Sequence, residues 1–516
     1  MQRVESLLCA SGMPVEALME KVGLALSGTI DRLFSWESFR RVGVLVGPGH
    51  NGGDGLVVAR ELLLAGREVA VYTPATLSKP LTRSHCQYFV SLGGQVFSDF
   101  SKLPNVDLWI DGLFGFGLTR PVTGVYADAI QAVNGSGIPI VALDVPSGMD
   151  TDTGSILGTA IRATHTFCLG LWKRGLWQDC ALEYLGEVER IDFGLQDQQI
   201  QTALRVSAQE TSATAPEKTD DPTTTSVEKT GTISVDHSEI TLLLDDEARA
   251  GLPLQRSLLA HKYTVGSTLV IAGSLQYSGA VHLAALGARA SGTGMLTLAV
   301  PGSLRASLVP DFPEALIVGC PEDSKGCLSA LNLDLARYQS VVFGPGLGQF
   351  NPQILRQVIV NASGILVLDA DGLNQLAGNL DWLSERPGST ILTPHPGEFC
   401  RLFPDIDLRD RFDAARHAAQ RTGTWILLKG ARTVISSPSE RLWVNPVGSS
   451  ALARGGSGDV LAGLIGGLAA QTREVQAAIL SGVWWHAQTG AYLAKKRTVL
   501  GVPPQVLADG LLDWLE

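Results

Sequence analysis

A chain of 516 residues is longer than one compact core usually supports, so two or more domains are expected. Hydrophobic residues at 45% exclude a largely disordered chain, and a formal net charge of −11 gives no general electrostatic reason to bind nucleic acid or an anionic membrane. A nucleotide-sized ligand is still compatible with this charge, because backbone N–H groups and helix N-termini hold phosphate without a basic surface. The seven cysteines include no CxxC pair, and neither a signal-peptide pattern nor a run of about 18 apolar residues occurs. Free thiols, no membrane span and a cytoplasmic location are therefore expected.

Pro14 is placed to start a helix, and an amphipathic pattern follows it over 15–26. The short, continuous runs VGVLVG (42–47), VAVYTP (69–74), VDLWIDGLFG (106–115) and IPIVALDVPSG (138–148) read as strands of a parallel sheet covered on both faces. Helical stretches at 55–65 and 126–133 alternate with them, which predicts an α/β, Rossmann-like doubly wound sheet. From 207 to 239 the chain has no Phe, Trp or Tyr and is dominated by Ser, Thr, Asp, Glu and Pro. Such a segment buries too little apolar surface to offset its ordering entropy, so 206–240 is expected to be a linker between domains at 1–205 and 241–516. Beyond it, STLVIAGS, GMLTLAVP, SVVFGPGLG, GILVLDADGLN, STILTPHPGEF and TWILLKGARTVIS read as successive strand-to-loop units, followed by a helical tail over 459–496. A second α/β domain is expected there.

Open α/β sheets bind ligands at strand ends, and the unusual residues gather at those ends. GPGHNGGDG (47–55) follows the first strand and satisfies GxGxxG through Gly47, Gly49 and Gly52. That signal is weak alone, because a glycine turn also serves tight packing. The second strand lacks the terminal acidic residue by which an ordinary dinucleotide fold holds a ribose. Asp111 and Asp144 stand at two further strand ends, beside a second glycine loop and the Pro-Ser-Gly turn that contains Ser147. One such carboxylate can simply cap the next helix; two beside two glycine loops point to a polar site.

The segments LMEKVG, GPGHNGGDGLVVAR, DGLFGFGL and LDVPSGMD together resemble the NAD(P)HX epimerase domain, also called the YjeF N-terminal domain, over nearly all of residues 1–200. The resemblance implies a potassium ion held by Asn51, Asp111 and Ser147, whose oxygen ligands suit a hard, weakly charged cation. It also implies that His50, Asn51, Gly52, Gly53 and Asp54 hold the hydrated cofactor together with Gly115, Phe116, Gly117, Leu118, Thr119, Arg120 and Pro121. Asp144 would contact the reacting part and act catalytically in proton transfer while R- and S-NAD(P)HX interconvert. His50 stands where the family usually has Asn.

The second half carries its strongest motif at 453–470, ARGGSGDVLAGLIGGLAA. Gly455, Gly456 and Gly458 flank a helix start, so backbone N–H groups and the positive helix end converge where a transferring phosphoryl group would gain charge. Asp459 follows, placed either to take a proton from a substrate hydroxyl or to act as an ordinary first-turn carboxylate. This GxGD arrangement resembles the ribokinase-like superfamily. HKYTVGSTLVIAGS with YSGA, then FGPGLG, LDADGLN, LTPHPGEF and LLKGARTVI, resemble in that order the ADP-dependent NAD(P)H-hydrate dehydratase, from about residue 252 to the C-terminus. The resemblance implies a ribokinase-like α/β domain in which Ala280, Gly346 and His395 line the hydrated-cofactor site and Asp459 contacts the substrate hydroxyl. Lys429, Gly430, Ala431, Arg432 and Thr433, with Gly458, would bind the adenine nucleotide. Ser449, Ser450 and Arg454 depart from the family's usual turn before the glycines.

The reaction implied is phosphoryl transfer from ADP, with Mg²⁺, to the C6 hydroxyl of S-NAD(P)HX, then phosphate loss to restore NAD(P)H, releasing AMP and phosphate. Small-molecule substrates and a homo-oligomer are the partners expected. His261, His282 and His486 lack the paired spacing of a metal site and read as structural, and Trp484 and Trp485 as core. Two other readings stand beside this one: a second half that phosphorylates a small alcohol, and a first half that binds without catalysing.

Overall fold

Apolar runs such as RVGVLV and LWIDG have no polar face, and in the computed structural model they form strands covered on both sides. The structure describes residues 2–196, 198, 200, 202 and 240–515. The chain divides into two units, 1–236 and 237–516. The linker expected at 206–240 lies outside the described residues except for Ile240, which opens a strand.

The first unit holds seven strands: β1 (Arg41–Val46), β2 (Glu68–Tyr72), β3 (Gln95–Phe97), β4 (Leu108–Gly112), β5 (Ile140–Leu143), β6 (His165–Leu169) and β7 (Glu187–Ile191). Their order is β3-β2-β1-β4-β5-β6-β7, and every pairing is parallel. One face of the sheet packs Val42, Val44 and Val46 against helices Val15–Leu33 and His50–Leu64 through Leu26, Ile30, Leu56 and Leu62. The other face packs Leu45, Trp109 and Ile140 against helix Val125–Asn134 through Ile130 and Val133. This is the doubly wound sheet read from the sequence. Strand order reverses between β1 and β4, so the crevice at their carboxyl ends is the natural ligand position. The register sets Val46 beside Gly112 and Asp111 beside Ala142, which brings three loops to one level.

The second unit holds ten strands: β8 (Ile240–Leu242), β9 (Ser267–Ile271), β10 (Met295–Pro301), β11 (Leu316–Cys320), β12 (Ser340–Phe343), β13 (Ile365–Leu368), β14 (Thr390–Leu392), β15 (Trp425–Leu428), β16 (Val434–Ser436) and β17 (Leu442–Val444). The order is β11-β10-β9-β12-β13-β14-β15-β16-β17-β8, parallel except at β15–β16 and β16–β17. The run TWILLKGARTVIS is thus two antiparallel strands with the Lys429 turn between them. The expected helical tail is likewise two helices, Ser457–Thr472 and Val475–Arg497, because Arg473 takes a left-handed φ of 57° that ends the first. Helix Ser457–Thr472 is buried from Val460 to Ala470, which suits its almost wholly apolar sequence. Trp484 and Trp485 are core residues as read, and their indole N–H groups donate to Asp245 Oδ1 and the Leu511 carbonyl. No helix among the described residues is long and apolar enough to cross a membrane.

The glycine loop after β1 is sterically closed. A Cβ on Gly52 would stand 2.0 Å from the Gly47 carbonyl oxygen, and one on Gly47 would stand 1.7 Å from the Leu113 carbonyl oxygen. Gly52→Ala is therefore expected to destabilise the first unit by about 2–4 kcal/mol. Calorimetry would show the first unit's transition lowered and the second unit's unmoved.

Candidate active sites

In the first unit the residues His50 to Asp54, expected in a loop, form the opening turn of helix His50–Leu64, capped by Gly49 without a side-chain bond. Gly52 and Gly53 are needed in this turn because the Gly47 backbone and the Met19 side chain fill the space a Cβ would take. Asp111, wholly buried in β4, accepts hydrogen bonds from Ser147 N (2.8 Å), Ser147 Oγ (2.7 Å) and Leu113 N (3.2 Å). Burial pushes its carboxyl up to about 6 while those hydrogen bonds pull it down. Ser147 Oγ also accepts from Phe114 N at 2.8 Å. Asn51 Nδ2 is buried with no hydrogen-bond partner among the described residues.

Gly115 ties these parts together. A Cβ there would stand 3.4 Å from Asn51 Oδ1 and 3.4 Å from Asp144 Oδ2, so the second glycine loop lies directly against both side chains. Phe116 and Leu118 are half-buried in this loop, whereas Gly117, Thr119, Arg120 and Pro121 are exposed. Asp144 is buried at the end of β5 with φ of 70°, in a region that disfavours any side chain. Its carboxylate forms a buried ion pair with Lys173. Asp54 is held well above the usual carboxylate range by burial, then by the charges of Asp144 and Glu5. His50 is exposed. The sequence-read residues Asn51, Asp111, Gly115, Asp144 and Ser147 are brought together; Lys173 and Glu5 were not singled out from the sequence.

In the second unit Gly456 caps helix Ser457–Thr472 in a left-handed conformation, and Asp459 sits in the first turn. A Cβ on Gly458 would lie 3.4 Å from Lys429 Nζ and 4.0 Å from Asp369 Oδ2, so the anion-type loop abuts an ion pair. Lys429 Nζ donates to Asp369 Oδ1 at 2.7 Å and lies 3.9 Å from Glu398 Oε2, and Thr393 Oγ1 donates to the same Asp369 oxygen at 2.8 Å. Burial first, then the Asp369 charge, raises Asp459 to about 7, with Lys429 opposing. His395 caps helix Pro396–Leu402: its Nδ1 accepts from Gly397 N and Glu398 N, while Glu398 Oε2 accepts from His395 N. Gly346, at φ 62°, approaches Ala280 so closely that a Cβ would stand 2.5 Å from the Ala280 Cβ.

The Lys429–Thr433 turn is held from beneath by Arg411, a buried residue whose guanidinium donates to the carbonyls of Arg432, Leu428 and Lys429, each at 3.0 Å. Within that turn Gly430 and Ala431 are exposed and Arg432 is buried. Arg454 donates to the Leu500 carbonyl at 2.7 Å, and Ser449 Oγ accepts from Ala451 N in a single turn. His486 is buried, as its structural reading requires. Its Nε2 lies 3.0 Å from the Ser457 carbonyl, and burial lowers it to about 4, which keeps it neutral.

Residues 15–175 match the family described as YjeF-related protein N-terminus, and residues 268–512 match the family described as NAD(P)H-hydrate dehydratase. A bifunctional NAD(P)H-hydrate repair enzyme Nnr from Gloeobacter violaceus is 52% identical over the whole chain and 96% of its own length. The protein of the same name from Synechocystis sp. is 46% identical over the whole chain and 94% of its length. The chain belongs to the bifunctional NAD(P)H-hydrate repair enzymes. Among solved structures, an ADP/ATP-dependent NAD(P)H-hydrate dehydratase from Bacillus subtilis, co-crystallised with ATP/Mg²⁺, is 30% identical and covers 54% of this chain and 98% of its own, with a TM-score of 0.47. This repair enzyme therefore carries an epimerase domain ahead of a dehydratase domain.

With Asp459 in the proton-accepting role expected from the sequence, the dehydration rate should fall as pH drops through about 7, where its carboxyl becomes neutral. A pH–rate profile with saturating nucleotide, compared with Asp459→Asn, checks this. Arg411→Met leaves two buried carbonyls and one half-buried carbonyl without the Arg411 donor and should lower the stability of the second unit by about 3 kcal/mol, read as a lowered calorimetric transition.

Proposed function

We propose that residues 1–205 interconvert the R and S epimers of NADHX and NADPHX with Asp144 as proton carrier. Residues 241–516 then dehydrate the S epimer at the expense of ADP, with Asp459 as the base. The observation that supports this most directly is shared by both units: a carboxylate withdrawn from solvent stands beside a glycine loop at the sheet's carboxyl edge.

In the first unit Asp144 takes the proton of the C6 hydroxyl as the C6–N1 bond breaks and its electron pair passes to nitrogen, which then receives that proton. Re-closure from the opposite face reverses these transfers and inverts C6. The residues around Asp111 fit a potassium ion. Its buried carboxylate has no cationic side chain among the described residues, and Oδ2 accepts one hydrogen bond of the two it can take. With the oxygens of Ser147 and Asn51 it makes a set of hard donors, and a bound cation would supply the charge that the buried carboxylate lacks.

In the second unit Asp459 takes the hydroxyl proton while the hydroxyl oxygen attacks the terminal phosphorus of ADP and the bond to AMP breaks. The C6–O bond then breaks with loss of phosphate and of a C5 proton, which restores the dihydropyridine. The first-turn N–H groups beside Gly456 and Gly458 face the charge that develops during transfer. The Lys429–Thr433 turn would hold the adenine nucleotide and Ala280, Gly346 and His395 the hydrate; Mg²⁺ bound with the nucleotide would supply charge neutralisation.

On a mixture of R- and S-NADHX with ADP and Mg²⁺, absorbance of reduced nicotinamide should recover completely. With Asp144→Asn, fast recovery should stop at the S fraction and the remainder should follow only the uncatalysed epimerisation. Full fast recovery by Asp144→Asn sinks the proton-carrier role, and no recovery with ADP or ATP sinks the dehydratase reading of the second unit.

A further inference from the structure

The chain after β6 turns back through residues 170–172 and sends the Lys173 side chain into the protein, where the residue is 6% exposed. Its ammonium pairs with Asp144 Oδ1 and donates to the Leu169 carbonyl at 2.6 Å. The N–H of the same Leu169 donates to Asp144 Oδ1 at 3.2 Å. One residue at the end of β6 thus holds both partners of the ion pair, its N–H on the acid and its carbonyl on the base. Both contacts to the Asp144 carboxylate fall on Oδ1. The other oxygen, Oδ2, lies against the Gly115 loop.

We infer that Lys173 is a positioning residue for the epimerisation: it fixes Oδ1 and supplies the carboxylate's counter-charge, so that Oδ2 is left to meet the substrate. The inference rests on the proton-carrier role of Asp144. The surroundings make the counter-charge necessary. Glu5 from helix Gln2–Ala10, Asp54 from helix His50–Leu64 and Cys168 from β6 all act on this pair. Burial and the Asp144 charge raise Glu5, which Lys173 opposes. Burial works against the Lys173 ammonium too, yet Asp144, Cys168 and Glu5 outweigh it and hold it above the usual lysine value. Among the groups in this set Lys173 is the cation. Without it, the buried Asp144 carboxylate would face Glu5 and Asp54 with no counter-charge, the least favourable setting for a charged group.

The test uses the full chain with ADP omitted, so that the second unit is idle, and follows R-to-S conversion by chromatographic separation of the epimers from pH 5 to 9. Lys173→Met should move the acid limb of the kcat/KM profile upward by about 1–3 pH units, the effect of removing an opposite charge at contact distance. Lys173→Gln, which keeps a donor for the Leu169 carbonyl without the charge, should shift it likewise and guards against a fold lost in the Met variant. Lys173→Arg should keep the limb in place at a reduced rate. Dehydration of S-NADHX by each variant, with ADP restored, reports that the chain is intact. If Met and Gln variants convert the epimers with an unshifted profile while Asp144→Asn does not convert them, Lys173 is only structural and the inference is overturned. If Asp144→Asn still converts them, the proton-carrier role falls, and this inference with it.

Discussion

A carboxylate removed from water needs a cation, several hydrogen bonds or a proton, and both units are organised by how that need is met. Asp111 receives three N–H and O–H donors from the turn that contains Ser147 and from Leu113. Asp144 receives a lysine. Asp369 receives a lysine and a threonine hydroxyl, while its charge pushes the neighbouring Asp459 toward its protonated form. The loops that carry these groups are held in register by the parallel sheets beneath them, so the chemistry at each carboxyl edge depends on strand pairing far from it.

Much of this was legible in the sequence. Strands covered on both faces leave uninterrupted apolar runs, and β1, β2, β4, β5, β9, β10, β12, β13 and β14 were found that way, with β15 and β16 inside the single run TWILLKGARTVIS. The strands left out have local reasons, beginning with edge strand β11, whose run LIVGC is interrupted by Gly319 and exposed at Leu316 and Gly319. β3 has exposed or half-exposed residues along its whole length, β8 is a three-residue edge strand, and β17, though buried between β16 and β8, is only three residues long. β7 alternates charge with apolar residues in EVERI, and β6 begins with a histidine that blurs its apolar run. Pairings of that kind come from the sheet rather than from local pattern.

The site followed the same division. Residues in glycine loops, or at the ends of recognisable strands, were visible because close backbone approach leaves a compositional trace. Lys173 was not, because it follows a strand that was itself missed, and a lone lysine after Leu-Trp carries no signal of burial. Asp369 lay inside the motif LDADGLN but offered no way to tell which of its acids meets Lys429 from sixty residues away. Arg411 opens a helix whose polar face would ordinarily be solvated. Its three carbonyl acceptors on the Lys429 turn become visible only once β15 and β16 are folded against that helix.

The contact of Gly346 with Ala280 sets an asymmetry in how the proposed hydrate site could diversify. The atoms nearest a Gly346 Cβ are the Ala280 methyl and the Cβ and carbonyl oxygen of Tyr277, which shortening either side chain to alanine would leave in place. Substitution can only add bulk, and even a methyl at Gly346 requires its loop to move and abandon a φ of 62°. Selection for a larger substrate would therefore have to act through insertions that re-route the loop between β12 and helix Pro352–Asn361, whereas selection for a smaller one meets a single-step barrier.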